Sequence, residues 1–557
     1  MVASLLVTTP CFATTYQVGP ARTLKTLAAV AEQLNPGDVV ELDGNATYTG
    51  GIVLDRAGAA GSPITVRGVR VNRKRPVLTG GTNTIEIRGD HYVLEGFDIT
   101  AGSARCVYHH ADDVTLRDLV VHDCKAHGLL GADQDSGSLT LEYSEFYGSG
   151  SGTGEHQIYM ATDEVAHPGS VFRMQHCYVH DGTGGNNVKS RAERNEIYYN
   201  WIEGAVYHEL ELIGPDPEGA PSGWTENLKR EDSDVVGNVL RKTQTTYVVR
   251  FGGDGTGQSN GRYRFVANTV LTAPGGSAVF RLFDGLESVE MHDNLFFVDP
   301  TPSAATTIVR DTEAVWSTGA RLIAGSHNWV LTQAASVPSE WTATLAGANP
   351  GLVSLASLNL SPLVTSPLAD ACTCMSSATG HEFPRPLPWP AYEPPRRTSE
   401  APGTAFARSV SGQLYIGAYQ PPGSSGSGGA GGATNTGGAT NTGGTSAAGA
   451  NTGGANGGLG SVAGAVGSGG TATQNGGAGA LANGGVGPGS AGATGGDRSQ
   501  AGSGNAANEA SGDSSASSGC NCRVTRAPSR SDSRQALTWL AALGLAWLAR
   551  RRHTSAL

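Results

Sequence analysis

Short segments of alternating apolar and polar residues recur along the middle of the chain. Alternation of this kind predicts β-strands, because successive side chains of a strand point to opposite faces. A central residue recurs at intervals that run from 22 positions (96 to 118) to 38 positions (200 to 238). Such intervals, with almost no helical periodicity between the segments, are typical of stacked coils. The segments are VLEGFDI with Gly96, TLRDLVV with Asp118, TLEYSEF with Ser144, RMQHCYV with His176, IYYNWI with Asn200, VVGNVL with Asn238, FVANTVL with Asn268 and MHDNLFF with Asn294.

This pattern predicts an all-β fold, a right-handed parallel β-helix. A β-sandwich or a β-propeller would need hairpin signals, and these are scarce in the sequence. The last four central residues are all asparagine, which tolerates a left-handed backbone and whose amide can form a ladder between coils. TLKTLAAVAEQL (23–34) predicts an amphipathic helix that caps the first coil, and QLYIGAYQ (413–420) predicts a closing strand.

The glycine content divides the chain into domains. Of the 557 residues, 80 are glycine and 38% are hydrophobic. Residues 421–519 consist almost entirely of Gly, Ala, Ser, Thr and Asn, which predicts a disordered linker because so little apolar surface can be buried. Residues 15–420 then form the β-helix domain. The net charge of −11 and the pI near 5.7 argue against a nucleic-acid partner, whereas a local basic groove could still bind an acidic polysaccharide.

Both ends of the chain have features of an exported protein. Residues 1–14 contain a short apolar run followed by small residues, and we interpret them as the remnant of a signal peptide. Residues 520–557 combine the motif GCNC, an apolar run of 14 residues (536–549) and three consecutive arginines. The run is shorter than the roughly 20 residues that span a bilayer, and such arginines are typical of a cytoplasmic end.

This order of features in the C-terminal tail resembles the MYXO-CTERM sorting tail of myxobacterial surface proteins. The resemblance implies contact with a membrane through a C-terminal hydrophobic helix, and display at the cell surface or anchoring in the outer membrane. Cys520 or Cys522 would then be the processing and anchoring position. In the β-helix domain, Cys106, Cys124 and Cys177 could pair or simply pack, and their spacing does not decide between these alternatives.

A second strand in each coil carries charge on one face. In HELELIG (208–214), alternation places Leu210 and Leu212 in the core and Glu209 and Glu211 outside. The same parity holds for HQIYMA, NVKSRA, TYVVRFG and AVFRLFD, and neighbouring coils lie about 4.8 Å apart. The predicted outward residues are Gln157 and Tyr159, Lys189 and Arg191, Glu209 and Glu211, Arg250, and Arg281.

Charge on one face of a sheet has two interpretations. It can simply solvate the sheet, and a surface pair such as Lys189 with Glu209 would contribute about 0–1 kcal/mol. The concentration of charge in one row favours a binding groove instead. Histidine and tyrosine side chains are expected around this row, namely His156, His180, Tyr207 and His208.

VKS in one coil and VVRFG in a later one resemble motifs of the polysaccharide lyase family of chondroitinase B and the alginate lyases, whose fold is a pectate-lyase-like solenoid. In that family the lysine of VKS is the general base, and an arginine assists as acid and charge stabiliser. The resemblance covers roughly residues 85–300. It implies that Lys189 and Arg250 have these roles in β-elimination on a uronic-acid polymer.

The sequence departs from that family in two respects. HELELIG stands between the two motifs, which predicts that Lys189 and Arg250 lie two coil rises, about 9.6 Å, apart. The acids that bind calcium in the family are missing before VKS, where only Asn186 and Asn187 offer oxygen ligands. The remaining oxygen ligands for a possible Ca²⁺ ion would be Glu209, Glu211 and Asp216.

Two classes of function fit these residues. The first is a carbohydrate-active enzyme, a polysaccharide lyase with Lys189 as base, Arg250 or Arg191 as carboxylate clamp, and His156 or Tyr159 as acid. A variant of this hypothesis is a glycosidase that uses Glu209 and Glu211 as its pair of carboxylates. The second is a non-catalytic glycan-binding or adhesion module. In both cases the partner is an extracellular polysaccharide, and the long segment 215–232, which could wall one side of a groove, favours the enzyme. Further predicted substrate contacts are Glu209, Glu211, Arg281 and His180.

Overall fold

The computed structural model describes residues 13–423, apart from residues 218, 226–227, 229–231, 255–258, 284–285, 300–305, 312–321, 372–379, 381, 384, 387–388 and 409–411. The predicted tail with Cys520 and Cys522, nearly all of the predicted linker, and residues 1–12 of the predicted signal remnant therefore lie outside the described residues. Within the described part of the chain, no helix has the length and apolar character needed to cross a membrane.

Three long parallel sheets are wound from successive coils, and each regular coil contributes one strand to sheet A, then one to sheet B, then one to sheet C. The predicted parallel β-helix is therefore confirmed. Sheet A has 13 strands: β1 (Thr15–Val18), β2 (Val39–Asp43), β5 (Ile64–Val69), β8 (Tyr92–Glu95), β11 (Val114–Arg117), β14 (Leu139–Glu142), β17 (Val171–Gln175), β20 (Arg194–Tyr198), β23 (Asp232–Val236), β26 (Arg262–Val266), β29 (Ser288–His292), β32 (Ile323–Ser326) and β34 (Trp341–Thr342).

Sheets B and C complete the coils. Sheet B has 12 strands: β3 (Thr47–Thr49), β6 (Val77–Thr79), β9 (Asp98–Thr100), β12 (Val120–His122), β15 (Glu145–Tyr147), β18 (Tyr178–Val179), β21 (Trp201–Glu203), β24 (Val239–Arg241), β27 (Thr269–Thr272), β30 (Leu295–Val298), β33 (Trp329–Leu331) and β35 (Leu345–Gly347). Sheet C has 10 strands: β4 (Ile52–Leu54), β7 (Asn83–Ile87), β10 (Arg105–His109), β13 (His127–Gly131), β16 (Ile158–Ala161), β19 (Val188–Arg191), β22 (Leu210–Ile213), β25 (Val249–Gly252), β28 (Phe280–Leu282) and β31 (Val309–Asp311). An antiparallel pair follows, β36 (Leu352–Ser354) and β37 (Asn359–Pro362).

The core consists of apolar rows that run through the coils. Strand pairing in register places equivalent residues directly above one another, so one apolar position in each coil produces a continuous buried row. Each such side chain contributes roughly 1.5–3 kcal/mol when it is fully buried. One row in sheet A, fully buried throughout, is formed by Leu94, Leu116, Leu141, Met174, Ile197, Val235, Phe265 and Met291.

A ladder of buried asparagines fixes the turn between sheets A and B. The side-chain oxygen of Asn238 accepts the main-chain N–H of Asn200 at 2.8 Å and its side-chain N–H at 3.0 Å. The Asn238 amide in turn donates to the Ile197 carbonyl oxygen at 2.8 Å. The predicted amide ladder is thus confirmed, and it extends one coil further than the sequence pattern indicated. Its members are Asn200, Asn238, Asn268, Asn294 and Asn328.

The prediction that these asparagines adopt the left-handed backbone is wrong. The left-handed backbone conformation occurs at the residue directly before each asparagine. The central residues aligned in the sequence therefore belong to two neighbouring positions of the coil, the left-handed position and the ladder position. Gly96, Asp118 and His176 have φ values of 80°, 50° and 56° and hold the left-handed position. Ser144 holds the ladder position, where its hydroxyl accepts the N–H of Leu119. The residues that precede the ladder asparagines with positive φ are Tyr199, Gly237, Ala267, Asp293 and His327.

The ends of the β-helix differ from the sequence predictions. The capping helix is only one turn, α1 (Ala28–Ala31), although the apolar face predicted for 23–34 is buried. At its N-terminus the Thr26 hydroxyl accepts the N–H of Ala29 at 3.3 Å, and the helix ends after this one turn. The segment 413–420 forms no strand, although Ile416 and Tyr419 are buried in it. Cys106 and Cys124 form a disulfide, and Cys177 is a buried free thiol.

We expect Asn268→Ala to lower the midpoint of thermal unfolding by several degrees. The substitution removes the acceptor of two buried N–H groups of Asn238, and leaving such donors unpaired costs about 1–3 kcal/mol each. Asn260→Ala, at an exposed position, is the matched control and should leave the midpoint unchanged. Equal midpoints for the two variants in a calorimetric scan would show that the ladder does not stabilise the fold.

Candidate functional site

A row of polar side chains crosses sheet C at one register position. Tyr159 pairs with Lys189, Lys189 with Glu211, Glu211 with Arg250, Arg250 with Arg281, and Arg281 with Arg310. We call these six residues the charged row. The predicted separation of Lys189 and Arg250 by one intervening coil is confirmed, and Glu211 is the residue that stands between them.

Glu211 joins the two halves of the charged row. One oxygen of its buried carboxylate accepts from Nη1 of Arg250 at 2.6 Å. The other lies 3.8 Å from Nζ of Lys189 and also accepts from the side-chain amide of Asn186. Because both oxygens are occupied, Glu211 is compensated and does not repel an anion as strongly as a free carboxylate would.

Lys189 lies between a carboxylate and an aromatic ring. Its Nζ donates to Oδ2 of Asp254 at 3.1 Å and lies 5.2 Å from the centre of the Tyr159 ring. Its side chain is 12% exposed, so a ligand on the sheet surface can reach it. Asp254 follows β25 in a turn, and sequence reasoning missed it because residues in turns have no strand alternation.

Arg191 does not face the surface, although the sequence predicted that it would. Its side chain is only 2% exposed. Its Nε donates to the Tyr159 hydroxyl at 3.0 Å, one Nη donates to Asp254 at 2.8 Å, and the other Nη donates to the Gly214 carbonyl oxygen. A buried charge must be paired, and these partners hold the guanidinium beneath the site. Arg191 therefore orients Tyr159 and Asp254.

The far end of the charged row is positive. Arg250 and Arg281 both donate to the hydroxyl of Tyr207, at 2.8 and 3.3 Å. Arg281 and Arg310 flank the ring of Tyr247, at 5.3 and 5.7 Å from its centre. Neither Arg281 nor Arg310 forms an ion pair with a carboxylate of the described residues. Their charge is therefore available to an anionic ligand.

Asp133 is an acid beside the charged row that the sequence reasoning missed, because nothing in GADQDSG marks it. Burial raises the pKa of Asp133 to about 6, with Asp216 acting in the same direction and Arg191 opposing it. Burial also raises the pKa of Tyr159 above its ordinary value, against the effect of Arg191. Tyr159 therefore keeps its proton at neutral pH, whereas Asp133 is largely protonated only below about pH 6.

The prediction that Glu209 faces outward is wrong. Glu209 is fully buried at the corner before β22, where its carboxylate accepts from the amide of Asn187 at 2.7 Å and from the N–H of Ala205. Nζ of Lys242, also fully buried, lies 3.5 Å away. Strand alternation does not extend to this corner, so Glu209 and Glu211 do not form the pair of surface carboxylates that the glycosidase variant requires.

Three further predicted residues lie away from the exposed surface of the row. Gln157 is buried and donates to Asn187. His156 is also buried; its Nδ1 accepts the N–H of Asn186, and burial holds its pKa well below the ordinary value. A neutral imidazole without access to solvent is poorly suited to the predicted acid role. His180 follows β18 of sheet B, where its ring nitrogens contact Glu145 and Asp181.

The described residues do not assemble the suggested calcium ligands. No three carboxylate, imidazole or thiolate side chains converge on one point in the described part of the chain. The amide of Asn187 is committed to Glu209 and that of Asn186 to Glu211. Only part of segment 215–232 is described, so its predicted role as a wall of the groove stays a prediction.

No protein-family model matches this chain, and no curated protein matches its sequence. The structure is similar to that of pectate lyase Pel9A, with 14% identity over 74% of this chain and 97% of that one and a TM-score of 0.45. An alginate lyase from Paenibacillus sp. str. FPU-7 shares 16% identity over 60% of this chain and 99% of that one, with a TM-score of 0.31. The GH136 lacto-N-biosidase from Eubacterium ramulus shares 12% identity over 60% and 67%, with a TM-score of 0.37. These similarities concern the fold alone.

We expect Asp133→Asn to raise the unfolding temperature at pH 7.5 and to have little effect at pH 4. Folded Asp133 keeps its proton to about pH 6, whereas an unfolded aspartate loses it near 3.8. The native state therefore binds the additional proton between these values, and stability falls as the pH rises through them. Thermal scans from pH 4 to 8 test this, and a constant difference between variant and wild type would contradict it.

Proposed function

We propose that the protein is a polysaccharide lyase that cleaves a uronic-acid polymer by β-elimination at the charged row. The observation that carries this proposal is the alignment of Lys189, Arg250 and Arg281 in one row of sheet C, with Glu211 between Lys189 and Arg250. A base and several cations in line are what the reaction requires, because it removes a proton next to a carboxylate and develops negative charge there.

The proposed reaction assigns one task to each part of the row. Arg250 and Arg281 bind the carboxylate of the sugar unit and stabilise the charge that develops on it. Lys189 accepts the proton from the carbon next to that carboxylate. The electron pair forms a carbon–carbon double bond as the bond to the glycosidic oxygen breaks, and this oxygen takes a proton from Tyr159.

Lys189 must lose its own proton before it can act as a base. Its Nζ forms ion pairs with Asp254 at 3.1 Å and with Glu211 at 3.8 Å. The same ion pairs favour the second candidate, a glycan-binding module. They neutralise Lys189, while the arginines at the other end of the row can still bind an anion without any reaction.

The proposal includes export and display at the cell surface, where polysaccharides are found. Two features of the sequence support export and display, namely the N-terminal apolar run and the C-terminal tail. The disulfide between Cys106 and Cys124 supports it, because such bonds are typical of oxidising compartments outside the cytosol.

We expect Lys189→Ala to abolish the release of unsaturated products, measured as absorbance near 235 nm with alginate, pectate, chondroitin and heparin-type polymers. Lys189→Arg should be equally inactive, because it keeps the charge and lacks a base that can be deprotonated. Lys125→Ala, at an exposed lysine between β12 and β13, is the matched control. Full activity of Lys189→Arg would exclude Lys189 as the base, and no product from any polymer with folded wild-type protein would favour the binding module.

We expect Arg281→Ala and Arg310→Ala to weaken binding of the acidic polymer, each by about tenfold, with a smaller effect on the maximal rate. An arginine–carboxylate contact is worth about 1.5–3 kcal/mol, of which solvent exposure removes part. Arg88→Ala, whose guanidinium is bound to Glu86 on the same sheet, is the control. Titration at 50 and 300 mM salt should show the largest salt dependence in the wild type, and equal values for all variants would contradict the role of the positive end.

A further inference from the structure

A cleft of about 480 Å³ lies at the C-terminal end of the domain, outside sheet C and therefore apart from the charged row. The pair β36–β37, the turn at Arg396 and Arg397, and the segment that ends at Gly423 form its walls. Its volume is within the range of about 300–1,000 Å³ that is typical of sites for small molecules. It is independent of the reaction proposed for the charged row.

Antiparallel pairing fixes the walls of this cleft. The N–H of Glu393 donates to the carbonyl oxygen of Phe406 at 2.8 Å, and Tyr392 bridges Ala407. The buried carboxylate of Glu393 accepts the main-chain N–H of Gln420 at 2.9 Å, which connects the segment ending at Gly423 to the segment that leads into the turn at Arg396. The cleft is therefore built on residues that are already held in place.

Hydrogen bonds to neighbouring side chains fix the guanidinium of Arg396 and leave some of its N–H groups for a ligand. Its Nη2 donates to the Ser361 hydroxyl and to Glu393, both at 3.0 Å, and its Nη1 donates to Asn359 at 3.3 Å. The guanidinium lies 4.4 Å from the centre of the Tyr419 ring. A guanidinium has five N–H groups, so two remain that bind none of the described residues. The side chain is 48% exposed, so a ligand in the cleft can reach the guanidinium.

The rim of the cleft combines a second cation with an apolar ring. Arg397 is 45% exposed and uses its Nε to bind Glu203 at 2.7 Å. Phe406 is 62% exposed, which is unusual for so large an apolar side chain. A ligand that suits this cleft has an anionic group that binds the two arginines and an apolar face that packs on the Phe406 ring. It also has hydroxyl groups that can bind the polar lining residues Ser357, Asn359 and Ser361.

We propose that this cleft binds an acidic saccharide unit, as a second carbohydrate site separate from the charged row. A uronic-acid ring has the three properties named above, because its carboxylate, hydroxyl groups and C–H face are carried by one rigid unit. The polymer would then contact the protein at two places, once at the row and once at the cleft.

The test is isothermal titration calorimetry of the full chain with trigalacturonate, and with maltotriose as the neutral counterpart. All samples carry Lys189→Ala, so that no substrate is consumed, together with Arg281→Ala and Arg310→Ala, which remove the positive end of the row. We expect saturable binding of trigalacturonate and at least tenfold weaker binding of maltotriose. Phe406→Ala and Arg396→Gln should each weaken trigalacturonate binding by about tenfold, which corresponds to 1.4 kcal/mol.

Val364→Ala is the matched control, because this side chain is 71% exposed and does not line the cleft. Thermal scans establish that each variant is folded, and Phe406→Ala carries the test if Arg396→Gln is unstable. Unchanged affinity in Phe406→Ala, no saturable binding, or equal affinity for maltotriose would each overturn the proposal. Since Lys189, Arg281 and Arg310 of the charged row are replaced in every sample and no reaction is measured, these outcomes are distinct from failure of the proposed lyase activity.

Discussion

Hydrogen bonding between successive coils in an unshifted register is the constraint on which the other features of this protein depend. In each sheet a residue pairs with its equivalent in the next coil, so every sequence position becomes a row along the molecule. A slip of one residue would bring charged side chains inside and apolar ones outside. The buried amides of the asparagine ladder oppose such a slip, since Asn238 is satisfied only when Asn200 and Asn268 lie in step with it.

This constraint explains which features the sequence could predict. Lys189, Glu211, Arg250 and Arg281 lie inside strands, where alternation and a regular rise per coil determine their positions. Glu209 lies one residue before its strand, and there the chain turns into the corner, so alternation no longer holds. The orientation of Arg191 depends on long-range partners, chiefly Asp254 and the Gly214 carbonyl, which no local pattern encodes. The asparagine ladder was visible as a repeated residue type, whereas the left-handed position before it holds five different residues and leaves no such signal.

The distribution of charge along the row is uneven, and this bears on what the surface can bind. At the Lys189 end, Glu211 and Asp254 compensate the cations, so a ligand there must compete with existing ion pairs. At the Arg310 end, the arginines contact phenol groups and aromatic rings instead. A polyanion would therefore be attracted first to the arginine end, and its approach to Lys189 would require rearrangement of contacts that are already formed. The segment of the row that attracts an anion is therefore different from the segment that contains Lys189.

The coil that contains β22 has a consequence for how such proteins diverge. Because coils stack at a fixed rise, the distance between groups on different coils can change only in whole steps of about 4.8 Å. Gain or loss of one coil between Lys189 and Arg250 would alter their spacing by a full step and leave the geometry on either side intact. Duplication and deletion of single coils would therefore change the spacing of charged groups along the row in coarse steps, while point substitutions within a row change it finely.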